Sequence, residues 1–402
     1  MKIVLVHRNF PGQFRYLAPA LIKRGDEVRA LTWSQNQNQR RVPTIEYEVE
    51  PPPGNNPVQH YAANLMNAQA AANAAAAYSQ AEGFVPDLVI GSINWGETLF
   101  LRDVWPEARH IGYAEFFYDP KGRDTDFDPE FSRPDLARDM RVVARTPHLL
   151  MGATRSDHLI SPTKWQASTF PSEFRSKISV VHDGVDTTML QPDPGARFKL
   201  PNGQELKAGD EVLTFVNRNL EPYRGFHILM RALPTILKAR PNLQVVMVGG
   251  EERGYGPVPA PDVTWKQVMM REVGDKLDTR RLHFTGRIPY ADLVSLLQVS
   301  RAHVYLSYPF VLSWSMMESM ALGCLVIGSD TPPVAEVIEH QKNGLLVDFF
   351  DVPGWEGAII DALENPQKYQ PLRDAARAHI VETYDLKTRC LPRLLDVVDG
   401  NL

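Results

Sequence analysis

The feature that most limits what this chain can fold into lies between Arg301 and Asp348. Ala302 to Ser307 reads as a strand, Trp314 to Gly323 has helical spacing and ends on a glycine, Cys324 to Gly328 reads as a second strand, and Ser329 to Ile338 opens another helix. Parallel strands require such crossovers, so the segment predicts a parallel sheet clad by helices. A helix that starts just past a strand turns its unpaired amides and positive dipole end toward the crevice at the sheet's C-terminal edge. That arrangement binds a nucleotide phosphate, and Glu318 near the start of the helix could accept hydrogen bonds from ribose hydroxyls. Ser315-Met-Met-Glu318 equally fits a capping box, which would explain both residues without a ligand.

The same alternation extends over the chain. Ile3–Val6, Glu27–Thr32, Ile45–Val49, Asp87–Gly91, His110–Ala114, Asp157–Ser161 and Ile178–Val181 read as strands, with helical stretches at Phe14–Arg24, Tyr61–Glu82 and Arg133–Arg145. Val212–Val216, helical Phe226–Lys238 and Leu243–Val248 restart the pattern. Gln191 to Asp210 is rich in Pro, Gly and charge, which predicts a linker. The expected division is an N-terminal domain over residues 1–195, a C-terminal domain over 210–384, and a terminal helical segment over 385–402.

Composition narrows the function classes. With 44% hydrophobic and 23% charged residues the 402-residue chain fits a globular protein. A net charge of −5 argues against general nucleic-acid binding. Cys324 and Cys390 carry no metal-ligand spacing, and neither do the histidines. No run approaches the roughly 18 apolar residues of a transmembrane helix, and Met1 to His7 reads as a core strand rather than a leader. A cytoplasmic location is expected, with peripheral membrane contact left open.

Asn217-Arg-Asn-Leu-Glu-Pro-Tyr-Arg-Gly225 follows a strand and precedes a helix. Arg218 stands at the strand's C-terminal end, where open α/β sheets bind ligands, and Arg224 stands at the helix mouth. Two cations there can clamp a diphosphate and neutralise a leaving nucleotide; spacing alone would also suit two solvated arginines. Gly249, after another strand, allows close backbone approach to a ligand but reads equally as an ordinary turn glycine. Gly254 to Pro261 reads as an exposed loop and a candidate active-site flap.

Glu318-Ser-Met-Ala-Leu-Gly323 and the Arg218/Arg224 pair resemble the C-terminal half of family 4 retaining glycosyltransferases. The resemblance implies the GT-B architecture, an α/β fold of two Rossmann-like domains whose parallel sheets face an interdomain cleft. It implies catalytic roles for Arg218, Arg224 and Glu318, with Arg224 standing where the family has Lys. It also implies donor contacts at Gly12, Gly249, Arg287, Ile288, Phe310, Leu312 and Ser313, and acceptor-side roles for Gln13 and Glu115. Family members carry a glutamate eight residues before the second one; here that position is Phe310, which cannot accept hydrogen bonds from a sugar. Val6-His-Arg-Asn-Phe-Pro-Gly-Gln-Phe-Arg15 and Tyr308-Pro-Phe-Val-Leu-Ser-Trp314 look like a bacterial subgroup linked to exopolysaccharide synthesis.

The expected function is therefore retaining transfer of a hexose from a UDP- or GDP-linked sugar to a glycan or lipid-linked acceptor. No cofactor and no metal are expected, because arginines and helix dipoles would carry the leaving charge. Two other readings use the same architecture: a nucleotide-sugar epimerase, and a non-catalytic relative that binds a nucleotide sugar, for which Phe310 is the support.

Overall fold

The computed structural model describes residues 1–38, 41–50, 52, 54 and 56–401. Its packing divides into two units, Met1–Gly184 with Lys387–Leu402, and Val185–Leu386.

The first unit is built on seven strands: β1 (Lys2–Val6), β2 (Glu27–Trp33), β3 (Thr44–Tyr47), β4 (Leu88–Ser92), β5 (Arg109–Tyr113), β6 (His158–Ser161) and β7 (Ile178–Val180). They lie in the order β3-β2-β1-β4-β5-β6-β7, and every pairing is parallel. The pleat sends alternate residues of β1 to opposite faces. Ile3 and Leu5 join Leu17, Leu21, Leu394, Val397 and Val398 on one side. Val4 and Val6 join Ala71, Ala75 and Trp105 on the other. Both faces are covered, which is why the strand is an unbroken apolar run rather than an alternating one. The alanine-rich stretch forms one helix, Pro57–Glu82, started by a capping box between Asn56 and Gln59. Ala71 and Ala75, one turn apart, are fully buried.

The second unit opens with an antiparallel hairpin, β8 (Arg197–Lys199) and β9 (Glu205–Lys207). Six parallel strands follow: β10 (Val212–Asn219), β11 (Gln244–Gly250), β12 (Leu282–Gly286), β13 (Ala302–Tyr305), β14 (Leu325–Ser329) and β15 (Leu345–Val347), in the order β12-β11-β10-β13-β14-β15. Each unit is thus a Rossmann-like parallel sheet between helical layers.

The hairpin corrects the expected linker. Ala196, Phe198, Leu200 and Leu206 are buried in the cluster that holds Leu296, Met316 and Met320. The Pro and Gly content of this stretch makes turns, not a tether: Gly203, in the β8–β9 turn, has φ +90°. The boundary accordingly falls at Gly184/Val185, earlier than residue 195. At the other end the chain passes from the second unit to the first after Leu386, and helix Leu391–Asp399 places Leu394, Val397 and Val398 in the first unit's core. Among the described residues, no helix is long and apolar enough to cross a membrane.

Candidate active site

The second unit gathers most of the sequence-predicted residues at the C-terminal edge of its sheet. β10 ends at Asn219, a short 3-10 turn Pro222–Arg224 follows, and Gly225 at φ +69° starts helix Phe226–Ala239. A Cβ at Gly225 would meet Leu306 Cβ at 2.2 Å, so only glycine lets this turn press against the end of β13. The turn carries Arg224 inward, to 9% exposure. Its Nη1 donates to Ser307 Oγ at 2.7 Å and to Tyr305 Oη at 3.4 Å, and its Nη2 donates to the Val311 carbonyl at 3.0 Å. A guanidinium held in this way is a fixed cation with a preset orientation. Arg218 differs: it is exposed, and its Nη1 lies 3.4 Å from Tyr255 Oη.

Helix Trp314–Ala321 is capped by Ser313, whose hydroxyl accepts from the Ser315 amide at 3.3 Å. The Ser313 amide donates to Tyr305 Oη at 2.8 Å. Tyr305 therefore ties the helix start to Arg224. Because Ser313 is the cap, Glu318 is the fifth helical residue, and the Ser315–Glu318 capping box does not form. Glu318 is 6% exposed and accepts a 2.9 Å hydrogen bond from Tyr290 Oη. A carboxylate kept from water in this way is poised to bind hydroxyl groups.

Phe310 is 5% exposed, in edge contact with Tyr223 at 5.1 Å and beneath Tyr255 at 5.1 Å, with the Arg224 guanidinium 5.7 Å from its ring centre. The side chain of Leu312 belongs to the apolar core. Gly249 lies inside β11, and a Cβ there would meet the Asn217 carbonyl oxygen at 2.9 Å. Its close approach is to the neighbouring strand. Arg287 is exposed and paired with Glu252 at 2.7 Å, and Ile288 packs against the core. Of the donor-side residues, Arg224 meets Phe310 directly, Ser313 reaches Arg224 through Tyr305, and Arg218 joins them through Tyr255.

The first unit holds a polar cluster past the ends of β1, β4 and β5. Gly12 has φ +46°, and a Cβ there would lie 2.4 Å from the His7 ring. Gln13 Nε2 donates to Glu115 Oε1 at 2.9 Å, and Asn94 Nδ2 donates to Glu115 Oε2 at 2.9 Å. Tyr113 Oη donates to Asp183 at 2.6 Å. Burial, reinforced by the Asp183 charge and opposed by the Gln13 hydrogen bond, pushes the Glu115 carboxyl up to about 7. Burial drives the buried His7 down to about 4, so its ring is neutral at pH 7, and its Nδ1 accepts from the Asn9 amide at 3.0 Å. The expected acceptor-side pair Gln13 and Glu115 is thus in direct contact.

Sequence reasoning missed Tyr290, Tyr305, Ser307 and Asn94. Each lies at or just past an element end and meets partners distant in sequence, Tyr290, Tyr305 and Ser307 within the second unit and Asn94 within the first. Tyr305 and Ser307 had one usable signal, their place at the C-terminal end of a buried strand.

The model of the glycosyl transferase family 4 group matches residues 24–190, and that of glycosyl transferases group 1 matches residues 197–379. The chain belongs to the glycosyltransferases. It is 26% identical over 277 residues to a GDP-mannose-dependent alpha-(1-6)-phosphatidylinositol monomannoside mannosyltransferase of Mycolicibacterium smegmatis, covering 65% of this chain and 66% of that one. It is 24% identical over 233 residues to a D-inositol 3-phosphate glycosyltransferase of Segniliparus rotundus, covering 56% and 48%. The chain thus spans between about half and just under two thirds of the length of these curated relatives. Among solved structures, sucrose-phosphate synthase from Thermosynechococcus elongatus superposes with a TM-score of 0.76 at 16% identity, covering 100% of this glycosyltransferase and 98% of that chain. Anabaena Alr3699/HepE in complex with UDP and glucose gives 0.68 at 15%, with full coverage of both chains. The fold of this glycosyltransferase is GT-B.

Proposed function

We propose that this glycosyltransferase moves a hexosyl group from a nucleoside diphosphate sugar, UDP- or GDP-linked, to a hydroxyl of a glycan or lipid-linked acceptor, with retention of anomeric configuration. The observation that carries the reading is the buried Arg224 guanidinium, fixed by Ser307, Tyr305 and Val311 beside the capped start of helix Trp314–Ala321. Such a preoriented cation stabilises charge that develops on a departing diphosphate. Arg218 supplies a second cation, and Glu318 with Tyr290 would hold the ribose hydroxyls.

In the proposed step the bond between the anomeric carbon and the phosphate oxygen breaks, and the acceptor oxygen bonds to that carbon from the same face. The acceptor proton passes to the leaving phosphate oxygen, so the step needs no protein base. Gln13, Asn94 and Glu115 offer hydrogen-bond partners for acceptor hydroxyls. The relatives support this reading by name, one as a GDP-mannose-dependent mannosyltransferase and one as an inositol phosphate glycosyltransferase. A bacterial role in exopolysaccharide or other cell-surface glycan synthesis, at the cytoplasmic face of the membrane, is part of the same proposal.

The test is consumption of UDP- and GDP-sugars with and without glycan and lipid-linked acceptors, in the presence and absence of EDTA. Acceptor-dependent release of nucleoside diphosphate that survives EDTA is expected. Conversion of the donor to its epimer without acceptor would support the epimerase reading, and inertness toward every donor would support the binding-protein reading that Phe310 suggests.

A further inference from the structure

The loop after β11 does more than cover the sheet edge. Glu221, only 4% exposed, accepts hydrogen bonds from the Gly256 amide at 2.8 Å and the Tyr255 amide at 3.2 Å. Side chains beside Tyr255 would crowd the loop: a Cβ at Gly254 would lie 2.1 Å from Glu221 Oε1, and one at Gly256 would press on Tyr223 Cβ at 3.1 Å. Trp265 Nε1 adds a 2.9 Å bond to the Pro257 carbonyl. The loop is therefore docked by a buried carboxylate and shaped by two glycines, not a free flap. What it presents is Tyr255. Its ring packs at a tilt against Phe310 at 5.1 Å and Tyr223 at 6.1 Å, while the residue keeps 53% of its surface open. Its hydroxyl stands 3.4 Å from Arg218.

We propose that Tyr255 is a specificity-determining residue whose open ring face stacks on the apolar C–H face of the transferred sugar. The proposal rests on the reading of Arg218 and Arg224 as the diphosphate clamp. An aromatic face fixed in advance offers contact at little entropic cost. The choice of sugar over nucleobase follows from connectivity. The ring hydroxyl abuts Arg218, a phosphate-binding group, so a ring stacked on Tyr255 must be joined closely to a phosphate. In a nucleoside diphosphate sugar the transferred sugar is bonded to phosphate through its own ring carbon, whereas the base is a whole ribose away. The platform also explains how the site works with Phe310: the sugar is held by a face instead of by a carboxylate on its hydroxyls.

The experiment is calorimetric titration of the wild type, Tyr255→Ala, Tyr255→Phe and Gly256→Ala with UDP, UDP-glucose, GDP and GDP-mannose. In the wild type the sugar nucleotide of one pair should bind more tightly than its nucleoside diphosphate. Tyr255→Ala and Gly256→Ala should each weaken the sugar nucleotide by roughly tenfold, the usual size of one good ring contact, and leave the nucleoside diphosphate within about twofold. Tyr255→Phe should retain most of the sugar nucleotide's affinity. Unchanged nucleoside diphosphate binding also certifies that the variants are folded. Equal weakening of both ligands would overturn the proposal in favour of base or phosphate contact, and no change in either would overturn it outright. Absence of saturable binding by all four ligands to the wild type would instead contradict the donor-site reading beneath it.

Discussion

Tyr290 and Glu318 are joined by a 2.9 Å hydrogen bond in which the phenol donates to Oε1 of the carboxylate. The bond links the start of helix Tyr290–Val299 to the middle of helix Trp314–Ala321. It fixes the direction of a buried carboxylate on a helix whose N-cap is Ser313. Glu318→Gln and Tyr290→Phe should therefore act on the donor rather than on the helix. Removing a hydrogen bond to a charged group costs about 1.5–3 kcal/mol. A rise in the donor Michaelis constant is expected in both variants, larger in Glu318→Gln, whose amide oxygen can still accept from Tyr290 and which should melt close to the wild type, while Tyr290→Phe should also lose about 1–3 kcal/mol of stability. A steep drop in melting temperature with unaltered kinetics would assign the pair a structural role.

Arg224 and Arg218 should separate in their effects on stability. Arg224→Ala leaves Ser307 and the Val311 carbonyl without a buried donor, so it should cost about 1–3 kcal/mol of stability. It should also cost about 2–4 kcal/mol of transition-state stabilisation. Arg218 is exposed, and Arg218→Ala should leave stability within about 0.5 kcal/mol while still slowing turnover. Denaturant melts and kcat/KM on the same preparations check both. Unchanged turnover in the two variants would sink the clamp.

Glu115 gives a pH signature. Its carboxyl is pushed up to about 7 by burial and by Asp183. From the ordinary carboxyl range up to that value, the folded protein keeps a proton that the unfolded chain has released. Stability should therefore fall as pH rises through this window, and the loss should persist above it. Glu115→Gln keeps the contact with Asn94 or Gln13 and removes the titration. The variant should melt higher than the wild type at about pH 8, by ~1–3 kcal/mol, and the two should converge near pH 4. Parallel melting curves at both pH values would contradict the shifted carboxyl.

Phe310→Glu places a carboxylate among Tyr223, Tyr255 and the Arg224 guanidinium. Arg224 lies close enough to pair with it, so the chain should fold, though less stably. Donor preference should change, as measured on a panel of UDP- and GDP-sugars. An inert wild type with an active Phe310→Glu would mean that the natural chain is a binding protein.

How far the sequence led depended on the range of each interaction. The strands and most helices were legible because their signals are local: Ile3–Val6 and Ala302–Tyr305 are apolar runs, and Gly225 and Gly323 mark turns at positive φ. Arg218, Arg224 and Glu318 were legible as residue types at sheet ends. The hairpin β8–β9 was not, because its Pro and Gly suggested a tether and its alternating Phe198, Leu200 and Leu206 were short of a full strand pattern. The sequence left the capping box at Ser315–Glu318 open as an alternative, because Ser313 and Ser315 are both competent caps; Tyr305, eight residues before Ser313, favours Ser313 by accepting from its amide. Tyr255 was seen only as part of a loop, since its meaning comes from Glu221, Phe310 and Arg218.

The central claim is sugar transfer with retention, and product stereochemistry tests it most directly. The wild type would be incubated with UDP- and GDP-hexoses of known anomeric configuration and a glycan or lipid-linked acceptor, and the anomeric proton of the new linkage followed by NMR from the first turnovers. A new glycoside with the donor's anomeric configuration is expected. A glycoside of inverted configuration, or hydrolysis and epimerisation with no glycoside formed from any donor, would contradict the account.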